Sequence, residues 1–195
     1  MTHHRTITQV FRDYPKEIIL KDGSGVSLRP LRAGDEKALF EMFSRLSEDD
    51  LWFLNHDVSE PRLFENWVAG LDPDRVISVV AVLEGRIIAN AVLMRKIYGA
   101  KSHIGKIRIS VDPGFREKRL GTWMLLDLVN LAISIGIRML VMDLVEGRDA
   151  AVIASVKKLD FTEEAVLKNY LLDRAGNPHN LVILGKRLPV EWGDF

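Results

Sequence analysis

Four cationic side chains crowd one short segment of this chain. Arg108, Arg116, Lys118 and Arg119 all fall within KIRISVDPGFREKRLGT, residues 106–122. Ile107, Ile109 and Val111 alternate there as in a strand, and Asp112, Pro113 and Gly114 break it. An apolar stretch from Leu120 to Ile137 then reads as a long helix. A strand that feeds a helix through a basic turn presents backbone N–H groups at the positive end of the helix dipole. A phosphate or pyrophosphate suits such a turn. Taken alone, surface arginines at a solvated helix start are the plainer reading; the whole of residues 111–122 favours phosphate.

The flanking segments read as the scaffold that holds this turn. Residues 17–20 and 26–29 form short strands around Asp22 and Gly23, a hairpin signal. Asp35 stands where it can cap a helix that packs through Leu39, Phe43 and Leu46. Ser47 to Asp50 starts a second helix carrying Leu51, Trp52, Phe53 and Leu54, and a third follows Pro61 with Leu63, Phe64 and Trp67. Trp52, Phe53 and Trp67 are candidates to line a pocket, though helical spacing favours core packing for at least two. Residues 75–83 and 86–94 are near-continuous aliphatic runs joined by Glu84 and Gly85, a buried antiparallel hairpin.

Residues 138–145 make another buried strand, and Asp149 can cap a helix to about Leu159. The last strands are expected at 161–167 and 181–184. This order predicts an α/β or α+β sheet with helices on both faces, and a right-handed crossover over 106–145. Residues 1–15 are expected to be a poorly ordered or loosely docked lead-in, 16–188 a single domain and 189–195 a tail. Trp123, inside the long helix, is expected in the core.

A chain of 195 residues, 47% apolar and 28% charged, has the makings of one ordinary globular core. Lysine plus arginine balances aspartate plus glutamate at 27 each, so no overall field favours nucleic acid and any anion site is local. The absence of cysteine excludes disulfides, zinc–thiolate sites and cysteine nucleophiles. No apolar run approaches the roughly 18 residues of a membrane span, and the first fifteen residues contain no apolar signal core. The expected setting is therefore the cytoplasm, without membrane. His3 and His4 read as a solvated tail rather than a metal site, and no metal is expected.

Residues 111–122, VDPGFREKRLGT, resemble the V-x-P-x-[YF]-R-x-x-G-x-G-[ST] signature of the GNAT superfamily of acyl-CoA-dependent N-acetyltransferases. Residues 29–35, RPLRAGD, are similar to the family's opening strand and helix, and 149–161, DAAVIASVKKLDF, to its N-x-x-A-I-x-L-Y-E-K-L-G-F segment. Residues 43–50 more faintly resemble the GNAT domain of bacterial protein-lysine acyltransferases. The likeness spans about 17–188. It implies a mixed, mostly antiparallel sheet with a splayed central strand pair, the strand at 109–111 parting from 139–145.

It implies acetyl-CoA or another acyl-CoA as co-substrate, an amine acceptor of a small molecule or protein, and leaves room for a homodimer. The cofactor-binding residues it implies are Ile109, Ser110, Val111, Arg116, Glu117, Lys118, Arg119, Leu120, Gly121, Thr122 and Asp149.

The chain departs from the family pattern at four places. Arg119 takes the first glycine position of R-x-x-G-x-G, where glycine lets the backbone approach phosphate and reach positive φ. Lys106 and Arg108 stand where many members carry a glutamate base. Val156 replaces the tyrosine that protonates the departing thiolate, and Asp160 replaces the glycine of L-G-F. Amide formation needs a neutral amine, so a base must take a proton from a group whose pKa is about 10.4 in lysine. Glu146, at the strand end beside the splay, and His103, before the anchor strand, are the candidate bases. A solvated carboxylate and a loop histidine are their plainer readings. Asp143 is as well read as a structural anchor as a catalytic group. The readings that follow are an N-acyltransferase, a weak or inactive acyl-CoA-binding module, or a protein–protein module without ligand.

Overall fold

The computed structural model describes residues 4–54 and 60–189. Eight strands form one sheet in the order β1-β2-β3-β4-β5-β6-β8-β7. Strands β1 (Lys16–Ile19) and β2 (Gly25–Pro30) are the expected first hairpin, and β3 (Val76–Leu83) with β4 (Arg86–Arg95) the second. Glu84 and Gly85 both take positive φ in the latter's two-residue turn, which matches the twist of its strands. β5 (Ile104–Val111) pairs antiparallel with β4 and parallel with β6 (Met139–Val145). β7 (Thr162–Leu172) and β8 (Pro178–Arg187) are longer than their apolar cores suggested, and β8 lies beside β6.

Strand alternation divides the molecule into two cores. Ile77, Val79, Ala91, Leu93, Ile107, Leu140 and Leu184 face α5 (Leu120–Ser134), whose Met124, Leu128 and Leu131 form the complementary stripe. On the other face Val80 and Ile87 pack under α2 (Glu36–Phe43) and α4 (Pro61–Ala69), chiefly against Leu39, Met42, Phe43 and Phe64. Gly105 is required where the two inner strands meet. A Cβ there would lie 2.5 Å from Leu93 Cδ1 and 3.1 Å from Leu140 Cδ2.

Four expectations are corrected. The lead-in is docked: α1 (Ile7–Phe11) is closed by a capping box between Thr6 and Gln9 and buries Ile7 and Val10 in the α5-side core. The Arg5 amide donates to the Ser134 carbonyl at 2.9 Å, and the His4 ring packs against Gly136; His3 lies outside the described residues. Asp35 does not cap α2 with its side chain; it is drawn into a bidentate pair with Arg29, at 2.6 and 2.8 Å, and also accepts from the Arg32 amide. Trp123 is 41% exposed, because the buried stripe of α5 runs through Leu120, Met124 and Leu128 and leaves position 123 outside it. The helix itself ends at Ser134, where Gly136 at φ +80 turns the chain toward β6.

No helix among the described residues is long and apolar enough to cross a membrane. Among the same residues, no group of three or more histidine, aspartate or glutamate side chains is arranged to hold a metal ion.

Candidate functional site

β5 and β6 pair only over 104–106 against 139–141. Beyond that point β5 follows β4 as far as Val111 and β6 follows β8 as far as Val145. Each strand keeps its outer partner while the inner pair opens into a seam. Main-chain groups of an antiparallel strand alternate sides. The Asp112 amide donates to Ile88 at 2.9 Å, so the main-chain groups of Ile109 and Val111 face the seam. Likewise the Glu146 amide donates to Asn180, which turns those of Asp143 and Val145 into the seam from the other side. The Val145 N–H is taken by Asp149 Oδ2 at 2.7 Å instead of by β5. Asp149 was expected to cap α6 (Ala150–Lys157); its carboxylate makes no such cap and stitches the strand end instead.

The turn at the mouth of the seam is built from its own sequence. Asp112 Oδ1 accepts the Gly114 amide at 2.9 Å and closes the 3-10 turn Pro113–Phe115. Its other oxygen pairs with Arg45 Nε, while Arg45 also donates to the Ile87 carbonyl, so the turn is tied to the end of α2. Glu117 and Arg119 both take left-handed backbone, at φ +62 and +67. Arg119 therefore occupies the conformation for which the family pattern uses glycine. No side chain caps α5, and no described side chain accepts from the amides of Glu117, Lys118, Arg119, Leu120, Gly121 or Thr122. Gly121 abuts the seam, since a Cβ there would lie 3.8 Å from Val111 Cγ2. Leu120 is 1% exposed, so only its backbone is available to a ligand.

The four cations expected at this turn divide. Arg108 and Ser110 project from β5 to the α2/α4 face, away from the α5 side on which Ile109 and Val111 pack. Arg108 is thus not part of the turn. Lys118 is committed to Asp22 at 2.8 Å and to the face of Phe115. Arg116 Nη2 pairs with Asp50 at 2.7 Å and its Nε donates to the Val111 carbonyl. Arg119 is exposed and makes no ion pair among the described residues.

A fifth cation, Arg148, was not singled out from the sequence. It pairs with Asp49, Asp50 and Asp149 at 2.8, 2.5 and 2.7 Å and lies over the Phe53 ring. Only the fold brings the acidic turn of α3 (Glu48–Trp52) against it. Burial opposes the Arg148 charge, but the three carboxylates outweigh it and hold its pKa above the ordinary value. Burial would likewise raise the Asp50 pKa, yet the bonds from Arg116 and Ser47 leave it below the usual carboxylate range.

The candidate bases are not gathered in one place. His103 is exposed at the start of β5, six positions before Ile109, which is about 20 Å along a strand. Its carbonyl accepts the Arg138 and Met139 amides at the closed end of the seam. Glu146 is exposed at the open end and accepts from Asn180 Nδ2 at 2.7 Å. Asp143 pairs with Lys106 Nζ at 2.5 Å on the α2/α4 side. Val156 is 5% exposed and belongs to the core. Asp160 takes φ +62, so its departure from glycine bears on a turn. Trp67 lines a cavity over β3–β5, whereas Trp52 is half exposed and donates to the Leu172 carbonyl at 2.7 Å.

The model of the Acetyltransferase (GNAT) family matches residues 39–161. No curated protein matches the sequence. Solved structures share the fold at low identity. The GNAT domain of S. lividans PAT superposes with a TM-score of 0.73 at 15% identity, covering 89% of this chain and 97% of that one. A ribosomal-protein-alanine N-acetyltransferase from Brucella melitensis does so with a TM-score of 0.73 at 22% identity, covering 83% and 99%. A putative acetyltransferase from Salmonella typhimurium, solved with its cofactor acetyl-CoA, gives 0.73 at 18% identity, covering 86% and 96%. The match extends from α2 through the open seam and its turn to Phe161, and on that ground the chain belongs to the GNAT acetyltransferase family, which uses acetyl-CoA.

Proposed function

We propose that this protein is an N-acyltransferase that moves an acetyl or other short acyl group from acyl-CoA to the amine of a small molecule or protein. The observation that carries the reading is the seam between β5 and β6, open beyond Lys106 and Val141. The amides of residues 117–122, with Arg116 and Arg119, would hold the diphosphate of the cofactor. The main-chain groups of Ile109 and Val111 would pair with its extended arm as a further strand does. Bound acetyl-CoA supplies the acyl group as a thioester, activated toward attack by an amine.

The residues of the chain then have to orient the amine and take its proton. Asp143 opens on the α2/α4 face, beside the β5 residues that line the cavity there, and is the base this reading favours. Glu146 follows Leu140 and Met142 in the alternation of β6, on the α5 side, and His103 is remote along β5. Asp143→Asn is expected to lower kcat about 100-fold, while Glu146→Gln changes it by less than about threefold. The reverse order would reinstate Glu146.

Calorimetry with acetyl-CoA tests the reading first. Saturable binding is expected in the wild type and its loss in Gly121→Trp, whose indole would fill the seam beside Val111. Thiol release in the presence of an amine panel tests the chemistry. A second reading, an acyl-CoA-binding module without turnover, is favoured by Val156, which puts no hydroxyl at the position of the family's tyrosine. Tight binding with no thiol release from any amine would establish it.

A further inference from the structure

A cavity of about 330 Å³ lies on the α2/α4 face between those helices and strands β3–β5. Its wall is largely apolar, made by Leu39, Phe43, Trp67, Leu71, Val92 and Met94. A single charged side chain among the described residues enters that wall, Arg108. Its Nη1 donates to the Leu54 carbonyl at 2.9 Å. A guanidinium has five N–H donors, and a desolvated one without an anionic partner is costly.

The other sheltered arginines of the site region have such partners: Arg29 has Asp35, Arg45 has Asp112 and Arg148 has three aspartates. Arg108 has no carboxylate in ion-pair range among the described residues, because Asp143, which acts on it from farther away, is taken by Lys106. Burial accordingly pulls the Arg108 pKa below its ordinary value, with Asp143 opposing.

We propose that Arg108 and this cavity form the acceptor subsite, and that the acceptor is a small apolar amine bearing a carboxylate, of the leucine or phenylalanine type, whose carboxylate pairs with the Arg108 guanidinium. The proposal rests on the acyl-transfer reading of the seam. The apolar wall takes the side chain, and the fork of donors takes the carboxylate bidentately. Ser110 lies two positions farther along the same face of β5, about 7 Å, beside the main-chain groups that line the seam. A carboxylate held at Arg108 therefore directs an α-amine toward the thioester. The nitrogen then bonds to the acyl carbon and the carbon–sulfur bond breaks; the amine proton passes to a base, and CoA leaves as the thiolate, which takes up a proton from solvent to become the thiol.

Matched pairs test this, with acetyl-CoA saturating and thiol release as the readout: leucine against 3-methylbutylamine, and phenylalanine against 2-phenylethylamine. The amino acids are expected to have the higher kcat/KM, by about tenfold or more. Arg108→Gln raises their KM roughly 10- to 100-fold, Arg108→Lys restores part of it, and the KM of the decarboxylated amines and the Kd of acetyl-CoA stay within about twofold. Equal or better turnover of the decarboxylated amines overturns the proposal, and so does an equal effect of Arg108→Gln on both members of a pair. A lysine side chain or protein N-terminus as the true acceptor would show itself in that way.

Acetyl-CoA binding without turnover of any of the four amines also overturns it, while leaving the cofactor site standing. Absence of acetyl-CoA binding removes the underlying reading as well. Should Arg108→Gln fail to fold, 4-methylpentanoate provides the test on the wild type. It is expected to compete with leucine and not with acetyl-CoA, and no inhibition at millimolar concentration refutes the subsite.

Discussion

Arg119 shows how a single departure from a pattern can be a matter of backbone as much as of charge. Its φ of +67 places an L-residue in the left-handed region at the entry to α5. Such a residue costs roughly 1–2 kcal/mol there, whereas glycine reaches the region freely but is costlier to order. Arg119→Gly is therefore expected to stabilise the fold by about 0.5–1 kcal/mol. Urea denaturation with an unchanged slope checks this, and a loss of stability would mean that the arginine side chain holds the turn through contacts of its own. The sequence marks position 119 as anomalous but cannot report its φ, since that depends on how β5 and α5 are anchored by their two ends. Arg148 illustrates the opposite case. Its neighbourhood along the chain does not distinguish it, because two of its three carboxylates come from α3.

At the scale of the element, α3 combines light packing, through the partly buried Leu51, with a network of charges. It buries no residue fully, yet its first turn pairs with Arg116, Arg148 and Arg174, and Trp52 reaches the end of β7. Pairs open to solvent, such as Arg174 with Glu48, contribute little each and weaken with salt. Asp50 bridges Arg116 and Arg148, and Arg116 is a cation that a diphosphate at the α5 turn would use. Removing that carboxylate charge is expected to release the arginines. Asp50→Asn should tighten acetyl-CoA binding by about three- to tenfold at low salt. Calorimetry decides it, and a weaker Kd would mean that α3 supports the turn more than it competes for it. The helix start at Ser47 was legible, through the Ser47 hydroxyl that accepts the Asp50 amide at 3.0 Å. The destination of its acidic turn was not, because it is set by residues about 66 and 98 positions away.

For the whole molecule, turns and termini are secured by carboxylates that a residue-by-residue reading passes over. Asp127 is 7% exposed inside α5 and accepts from the Tyr14 hydroxyl at 2.5 Å and Lys16 Nζ at 2.6 Å, fastening the approach to β1 onto that helix. The bond from Lys118 holds Asp22 down at about 2, and the Asn177 side chain holds Asp173 down at about 2. A folded pKa below the unfolded value of about 3.9 means that the native state is favoured while the group is ionised. That contribution is present above about pH 4 and is lost as pH falls toward about 2. The Tm should therefore drop across that interval, and thermal unfolding followed from pH 4 to pH 2 would contradict this by showing no change.

Local pattern alone determined the first two strand hairpins, the apolar stripe of α2, and the turn from β5 into α5, but not which face of α5 is buried, as the exposed Trp123 shows. Each of these follows from periodicity and turn chemistry within about twenty residues. The GNAT resemblance added the open seam as an expectation. Only the tertiary structure decided which way the side chains of β5 divide, because one strand presents Ile109 to one core and Arg108 to the other. It also decided which arginines are matched by carboxylates and which faces a cavity. Charge balance and packing across a sheet are set by residues distant in the chain, and no spacing along the sequence encodes them.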